Sequence, residues 1–350
     1  MRIAQVAPLF ESVPPRGYGG TERVVSWLTD ELVRRGHEVT LFATADSRTP
    51  AELVPCAPGP LRNGGRCLDG IPWHVSMIER VASRAAEVDV IHFHCDLLHL
   101  PLARRLVTPS LTTLHGRLDQ PGLEELYDLF DDAGLVSISD AQRAPIPRAR
   151  WLGTVHHGLP IEQSELGRGD GDYLVFLGRI SRDKRPDRAI DIALDAGLPL
   201  KIAAKIDEAD RPYFDREIRP RLAHPLIEML GERGEDDKAT LLAGARALLF
   251  PLDWPVPFGL VMIEAMARGT PVVAFRCGSV PEIVEHGVTG FVVDALEEAV
   301  DAVRHAAELD RARIRQRVVR RFSVSAMTDA YLRLYEELVT ARRPLRRVVG

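Results

Sequence analysis

The chain has 350 residues, of which 45% are hydrophobic and 27% charged, with a formal net charge of −5. That length predicts two domains of about 150–175 residues each, and the acidic balance argues against a general nucleic-acid binder, which needs a basic surplus. The sequence has no run of about 18 apolar residues, as a membrane-spanning helix requires. MRIAQVAP reads as a buried strand rather than a signal peptide. Cys56, Cys67, Cys95 and Cys277 are scattered without a CxxC pair, the pattern of reduced thiols in a cytoplasmic protein rather than of a zinc site or disulfide framework.

Taken in chain order, short β-branched runs alternate with helical periodicity, the signature of parallel βαβ units. Residues 3–6 read as a buried strand, followed by a loop holding Pro14, Pro15, Gly17, Gly19 and Gly20. From Thr21 a helix repeats Val24, Leu28 and Leu32, widened by Val25 and Val33. Gly36 stops it, and HEVTLFAT forms the next strand. Further strands are expected at 88–94, 110–115, 134–139 and 153–157. A polar, glycine-bearing stretch without periodicity at 161–171 reads as a linker. The alternation then restarts at 172–178, 198–206, 225–231, 247–251, 270–275 and 289–293. A last helix, 323–340, carries Met327, Tyr331, Leu334 and Leu338 on one side, ahead of a basic tail. The domains are thus 1–160 and 172–322, with 323–350 a closing helix expected to pack back toward the first domain, plus the tail. The fold class is α/β: two doubly wound Rossmann-like domains facing each other across an interdomain cleft at the carboxyl ends of their strands, where such sheets bind ligands.

Candidate chemistry lies at those strand ends. In FLGRISRDKRPDRAI (176–190), Arg179 and Lys184 emerge from a strand just before a helix, a position suited to a polyanion such as a diphosphate; a solvated basic turn is the alternative. In PVPFGLVMIEAMARG (255–269), Phe258 and Gly259 turn the chain into a helix starting at Leu260, whose free amides suit a phosphate or sugar oxygen. Glu264 lies one turn in, flanked by apolar residues; buried it needs donors such as ribose hydroxyls, and otherwise it faces solvent. The loop PRGYGGTER (15–23) either cradles an anion with the amides of Gly19 and Gly20 or is a tight turn. His92, His94, His99, His115, His156 and His157 cluster in the first half. They are core histidines or a metal site without a third ligand at diagnostic spacing, and His115, ending TLHG, is the candidate for a polar contact at a reacting centre. The sequence contains no GxSxG, HExxH or GxxxxGK[ST]. DGD at 170–172 falls in the linker.

These stretches, in this order, resemble the retaining glycosyltransferases of family 4, with their GT-B fold. The resemblance is strongest over 174–293, and YGGTERVVSWLTDELVRRGHEVTLFAT is similar to the avilamycin-type antibiotic-pathway subgroup. It implies transfer of a sugar from a nucleoside-diphosphate sugar to a hydroxyl acceptor, with retention and without a metal or other cofactor. By position, Arg179 and Lys184 match the pair that holds and neutralises the diphosphate, and Glu264 the acid that bonds the ribose. Phe258, Gly259 and Leu260 match the turn at the donor phosphates and sugar, Gly19 and Gly20 the front glycine loop, and His115 the histidine at the donor sugar. The acceptor is a small molecule, saccharide or lipid-linked hydroxyl compound; no nucleic acid is involved, and membrane contact is at most peripheral. The loop at 231–238 is the expected place for the nucleobase.

One position departs. The family's first acid, which bonds donor-sugar hydroxyls, falls on Val256. Either the donor lacks a hydroxyl there, or Asp253 substitutes, or the chain is a relative that binds a nucleotide sugar without transferring it.

Overall fold

The computed structural model describes residues 1–17, 19–62 and 69–341, so Tyr18, Cys67 and the basic tail lie outside the described residues. Two compact units are present: Met1–Leu159 with the chain from Ser323 onward, and Pro160–Phe322. In the first, β1 (Arg2–Val6), β2 (Glu38–Thr44), β3 (Glu52–Ala57), β4 (Val90–Phe93), β5 (Ser110–Thr113), β6 (Leu135–Ser137) and β7 (Trp151–Thr154) form one parallel sheet in the order β3-β2-β1-β4-β5-β6-β7. In the second, β8 (Leu174–Arg179), β9 (Leu200–Lys205), β10 (Ile227–Met229), β11 (Ala247–Phe250), β12 (Val272–Phe275) and β13 (Gly290–Val293) form another, ordered β10-β9-β8-β11-β12-β13 and again parallel throughout. Both units are Rossmann-like, as the βαβ alternation requires.

Strands such as VVAF in β12 are buried at every residue, because helices cover both faces of a parallel sheet and leave no polar side. The second core gathers Ile180, Ile190, Leu200, Ile202, Leu249 and Val273; the first gathers Val6, Leu9, Phe42, Met77, Ile91 and Phe93. β3, ELVPCA, has no counterpart among the expected strands. Pro55 cannot donate to a ladder, which confines it to an outer strand, and β3 is the outer strand. β7 starts at Trp151, two residues early, where the pairing with β6 shifts register between Leu135 and Val136.

The glycine-bearing stretch read as a linker is strapped onto the second unit. Gly167 donates to the Arg268 carbonyl at 2.9 Å, Gly169 to Ala243 at 3.0 Å and Gly171 to Gly244 at 3.0 Å, while Asp172 pairs with Arg246 at 3.3 Å. The acids of DGD thus sit in a backbone tether. The closing helix, Val324–Ala341, belongs to the first unit; its Val324 amide bonds the Leu159 carbonyl at 2.7 Å. Tyr335 is fully buried on it, whereas Leu334 and Leu338 are only half-buried, so the inward face lies one residue round from the expected one.

In each sheet the chain order reverses once, between β1 and β4 and between β8 and β11. The carboxyl ends of such neighbours are where open parallel sheets bind ligands.

Candidate functional site

At the β8/β11 reversal, β8 ends on Arg179 and a short turn, Arg182–Lys184, leads into the helix Pro186–Ala196. Lys184 places its ammonium 4.9 Å from the centroid of the Trp254 ring, and among the described residues no carboxylate lies within ion-pair distance of it. Burial is the largest influence on this amine and lowers its pKa from the ordinary 10.5. Arg179 is placed differently: its guanidinium faces Asp183 at 3.6 Å, Asp207 at 3.6 Å and Asp210 at 3.5 Å, and its side chain is 43% exposed.

The turn and the β11 loop are tied together. Arg185 is the one non-glycine residue with positive φ, at 53°, among the described residues, a conformation that persists where surrounding bonds over-determine it. Here Arg185 bonds both Asp187 and Asp253, and Arg188 adds Asp253 at 3.2 Å and the Pro251 carbonyl at 3.1 Å.

From β11 the chain passes Trp254 and Val256 to the helix Leu260–Ala267. Gly259 opens it at φ +90°, and a Cβ there would lie 2.9 Å from Met262 Cε and from Phe250 Cζ; an L side chain fits neither the backbone nor the space. No side chain caps this helix, and the first amides of a helix have no intrahelical partner, as an anion-receptive helix start requires. Phe258 is 2% exposed and anchors the turn, its carbonyl accepting from Ser279 Oγ at 2.8 Å. Met262, Ile263, Ala265 and Met266 are buried, while Glu264 on the same helix is half-buried. Arg268, one turn on, is influenced by the charges of both Glu264 and Glu235; Glu235 opens the helix Glu235–Gly244, so only the first half of the expected 231–238 loop is loop and the rest is that helix's first turn.

Val256 is a buried packing residue, 6% exposed, with its carbonyl accepting from the Ser279 amide at 3.1 Å. Asp253 does not stand in for the missing acid, because its carboxylate is committed to Arg185 and Arg188.

In the first unit, the helix Gly20–Arg34 begins directly at Gly20. At Gly19 a Cβ would lie 2.7 Å from Pro15 Cβ, so the proline-rich turn closes only over a glycine. Beyond β4 and β5, histidines form a continuous buried network. His115 Nε2 meets His94 Nδ1 at 2.9 Å, and His94 Nε2 meets Gln5 Oε1 at 2.8 Å. Gln5 Nε2 donates to Tyr335 Oη at 3.0 Å, which meets His92 Nδ1 at 2.7 Å; His92 Nε2 meets Thr113 Oγ1 at 2.7 Å. The His115 ring stacks on His157 with centroids 5.2 Å apart. Burial pushes His115 down to about 3 and His92 and His94 well below 6.5, so all three are neutral near neutral pH. His92 and His94 are therefore core histidines held by side chains, and among the described residues no three His, Cys, Asp or Glu gather in a way that could hold a metal.

Trp254, the acids around Arg179 and Tyr335 were not singled out by sequence reasoning. Trp254 lies two residues before Val256, and Tyr335 one helical turn beyond Tyr331, so each had a local signal. Asp207 and Asp210 follow β9, and nothing in linear spacing ties them to Arg179.

Comparison with known proteins bears on the family and the fold. Residues 160–320 match the family model "Glycosyl transferases group 1" and residues 18–165 match "Glycosyltransferase Family 4". The D-inositol 3-phosphate glycosyltransferase of Mycolicibacterium smegmatis is 28% identical, covering 93% of this chain and 88% of its own length. Its counterpart from Mycobacterium bovis is 29% identical over 88% of this chain and 76% of its own. Among solved structures, AviGT4, a glycosyltransferase involved in avilamycin A biosynthesis, superposes with a TM-score of 0.73 at 28% identity, over 97% of this chain and 98% of its own. HepE of Anabaena, solved with UDP and glucose, shares the fold at 20% identity and a TM-score of 0.73, over 97% and 100%. The chain carries a Glycosyltransferase Family 4 domain followed by a glycosyl transferases group 1 domain, has the GT-B pair of Rossmann-like units, and is a glycosyltransferase.

Proposed function

We propose that the chain moves a sugar from a nucleoside-diphosphate sugar to a hydroxyl of a small-molecule, saccharide or lipid-linked acceptor, with retention at the anomeric carbon and without a metal. Lys184 and Arg179 take the diphosphate, and their charges stabilise it as it departs. The amides of Leu260 and Val261, exposed by the Phe258–Gly259 turn, take phosphate or sugar oxygens, and Glu264 accepts from the ribose hydroxyls. In the first unit Gly19 and Gly20 approach the diphosphate and His115 the donor sugar. The leaving phosphate accepts the acceptor's proton, so no separate base is needed. The reading places the protein in the cytoplasm with at most peripheral membrane contact; among the described residues no helix is long and apolar enough to cross a membrane.

The observation that carries this is the meeting of the β8 and β11 loops at the strand-order reversal, with a cation on Trp254 in the same loop that leads to an uncapped helix start. Val256, buried where an acid would bond sugar hydroxyls, favours a donor with no hydroxyl at that place, as a deoxysugar.

Incubation with a panel of nucleotide sugars, hexose and deoxyhexose, tests the proposal: slow donor hydrolysis or transfer is expected with at least one. Binding without turnover of any would instead mark a nucleotide-sugar-binding relative that performs no transfer.

A further inference from the structure

Two consecutive residues of the β8 turn meet two consecutive residues of the β11 loop. The Lys184 ammonium lies 4.9 Å from the centroid of the Trp254 ring, and its neighbour Arg185 bonds Asp253, the neighbour of Trp254. Arg188 adds Asp253 at 3.2 Å and the Pro251 carbonyl at 3.1 Å. The Arg185 contact also fixes the backbone that carries the lysine, since Arg185 has φ 53° and Asp187 holds the same guanidinium at 3.0 Å. Asp183, the acid next to Lys184 in the chain, faces Arg179 instead, at 3.6 Å.

We infer that Trp254 is a positioning residue for Lys184 and that Asp253 supports it: the ring holds the ammonium in place for an incoming diphosphate, and Asp253 fixes the turn that delivers it. The role rests on the proposed donor site. An aromatic face attracts a cation through its quadrupole yet carries no full negative charge. A carboxylate there would neutralise the lysine and then repel the phosphates. The other lysines show the contrast. Lys205 meets Asp207 at 2.9 Å and Lys238 meets Glu235 at 3.0 Å, while Lys201 lies over Tyr173 at the amino ends of β8 and β9. The clasp also accounts for Asp253, whose carboxylate serves the turn rather than a donor sugar.

Two measurements test this. Lysine-labelled, ligand-free protein gives 1H–13C Cε signals from Lys184, Lys201, Lys205 and Lys238 alone. The Lys184 signal, identified by its loss in Lys184→Arg, is expected to lie upfield under the indole ring and to return to the position of a solvated lysine in Trp254→Leu. An unshifted signal in the unaltered protein overturns the inference. The second measurement is calorimetric titration with UDP, GDP, ADP and TDP. Trp254→Leu is expected to weaken uptake about fivefold, Trp254→Phe to retain most of it, and Trp254→Leu added to Lys184→Ala to cost nothing further, since a positioning residue acts only through the lysine. Equal losses with and without Lys184, or no loss in Trp254→Leu, overturn the inference. Should Trp254→Leu not fold, Asp253→Ala loosens the turn and leaves the ring; it is expected to reduce both the upfield shift and the uptake, and no change in either overturns the inference. Uptake of none of the four nucleotides by the unaltered protein would instead remove the proposed donor site, and with it the role of the ring, while the lysine signal still reports the contact.

Discussion

Under the proposed function, Arg179 and Lys184 would meet an incoming diphosphate from opposite starting points. Lys184 rests on an aromatic face with part of its hydration already removed, so a phosphate restores what burial took away. Arg179 must exchange three carboxylates for the phosphate. A charge-assisted hydrogen bond contributes roughly 1.5–3 kcal/mol, about tenfold to over a hundredfold in affinity. Lys184→Ala is therefore expected to weaken nucleoside-diphosphate binding at least tenfold. Asp210→Asn, which removes a competitor for Arg179, is expected to strengthen it several-fold; calorimetric titration of both variants checks the pair, and weaker binding by Asp210→Asn would show that the acid aligns Arg179 instead. Val256→Glu is expected to place a carboxylate against donor hydroxyls, lowering turnover with a deoxysugar donor and raising it with hexose donors. Equal kcat/KM for both donor types before and after the change would remove any part for Val256 in selectivity.

At the scale of single elements, the helix Leu260–Ala267 depends on Gly259. The left-handed backbone at φ +90° costs an L residue about 1–3 kcal/mol, and the added methyl meets Phe250 and Met262. Gly259→Ala is expected to lower the melting temperature by a few degrees and to reduce nucleotide affinity by displacing the Leu260 and Val261 amides. An unchanged melt and unchanged binding would contradict the assignment. This helix was legible in the sequence because its turn, apolar run and glycine stop are contiguous. Strands such as β11 and β12 were legible for a related reason: burial on both faces writes itself as a continuous apolar run. β3 was not, since Glu52 and Pro55 interrupt such a run and an edge tolerates both. The bonds made by the stretch read as a linker were not legible either. Its glycines let the backbone lie against the end of the helix Glu235–Gly244, a contact that linear spacing does not announce.

For the whole molecule, buried histidines set the acid limit of stability. Burial holds His92, His94 and His157 well below 6.5, and His99 and His115 at about 3. The unfolded chain takes up protons on them near pH 6.5 and the folded chain does not. Between pH 6.5 and about 3 the unfolded state therefore binds more protons, and stability falls as the pH falls. Glu22 and Asp30 act oppositely: burial lifts both to about 6, so their contribution grows as the pH drops from 6 toward their ordinary 4.5 and 3.8. Burial also raises Asp96 and lowers His37, and the more numerous histidines predict a lower melting temperature at pH 5.5 than at pH 7.5; a higher one would contradict the neutral network. The sequence showed the histidines but not their partners, because Gln5, Thr113 and Tyr335 come together only when the closing helix returns to the first unit.

The account depends above all on a nucleoside diphosphate being held at the β8/β11 reversal. Calorimetric titration with UDP, GDP, ADP and TDP tests this directly. Saturable uptake of at least one, weakened tenfold or more by Lys184→Ala and also weakened by Glu264→Gln, is the predicted result. Uptake of none, or uptake indifferent to both substitutions, would contradict it.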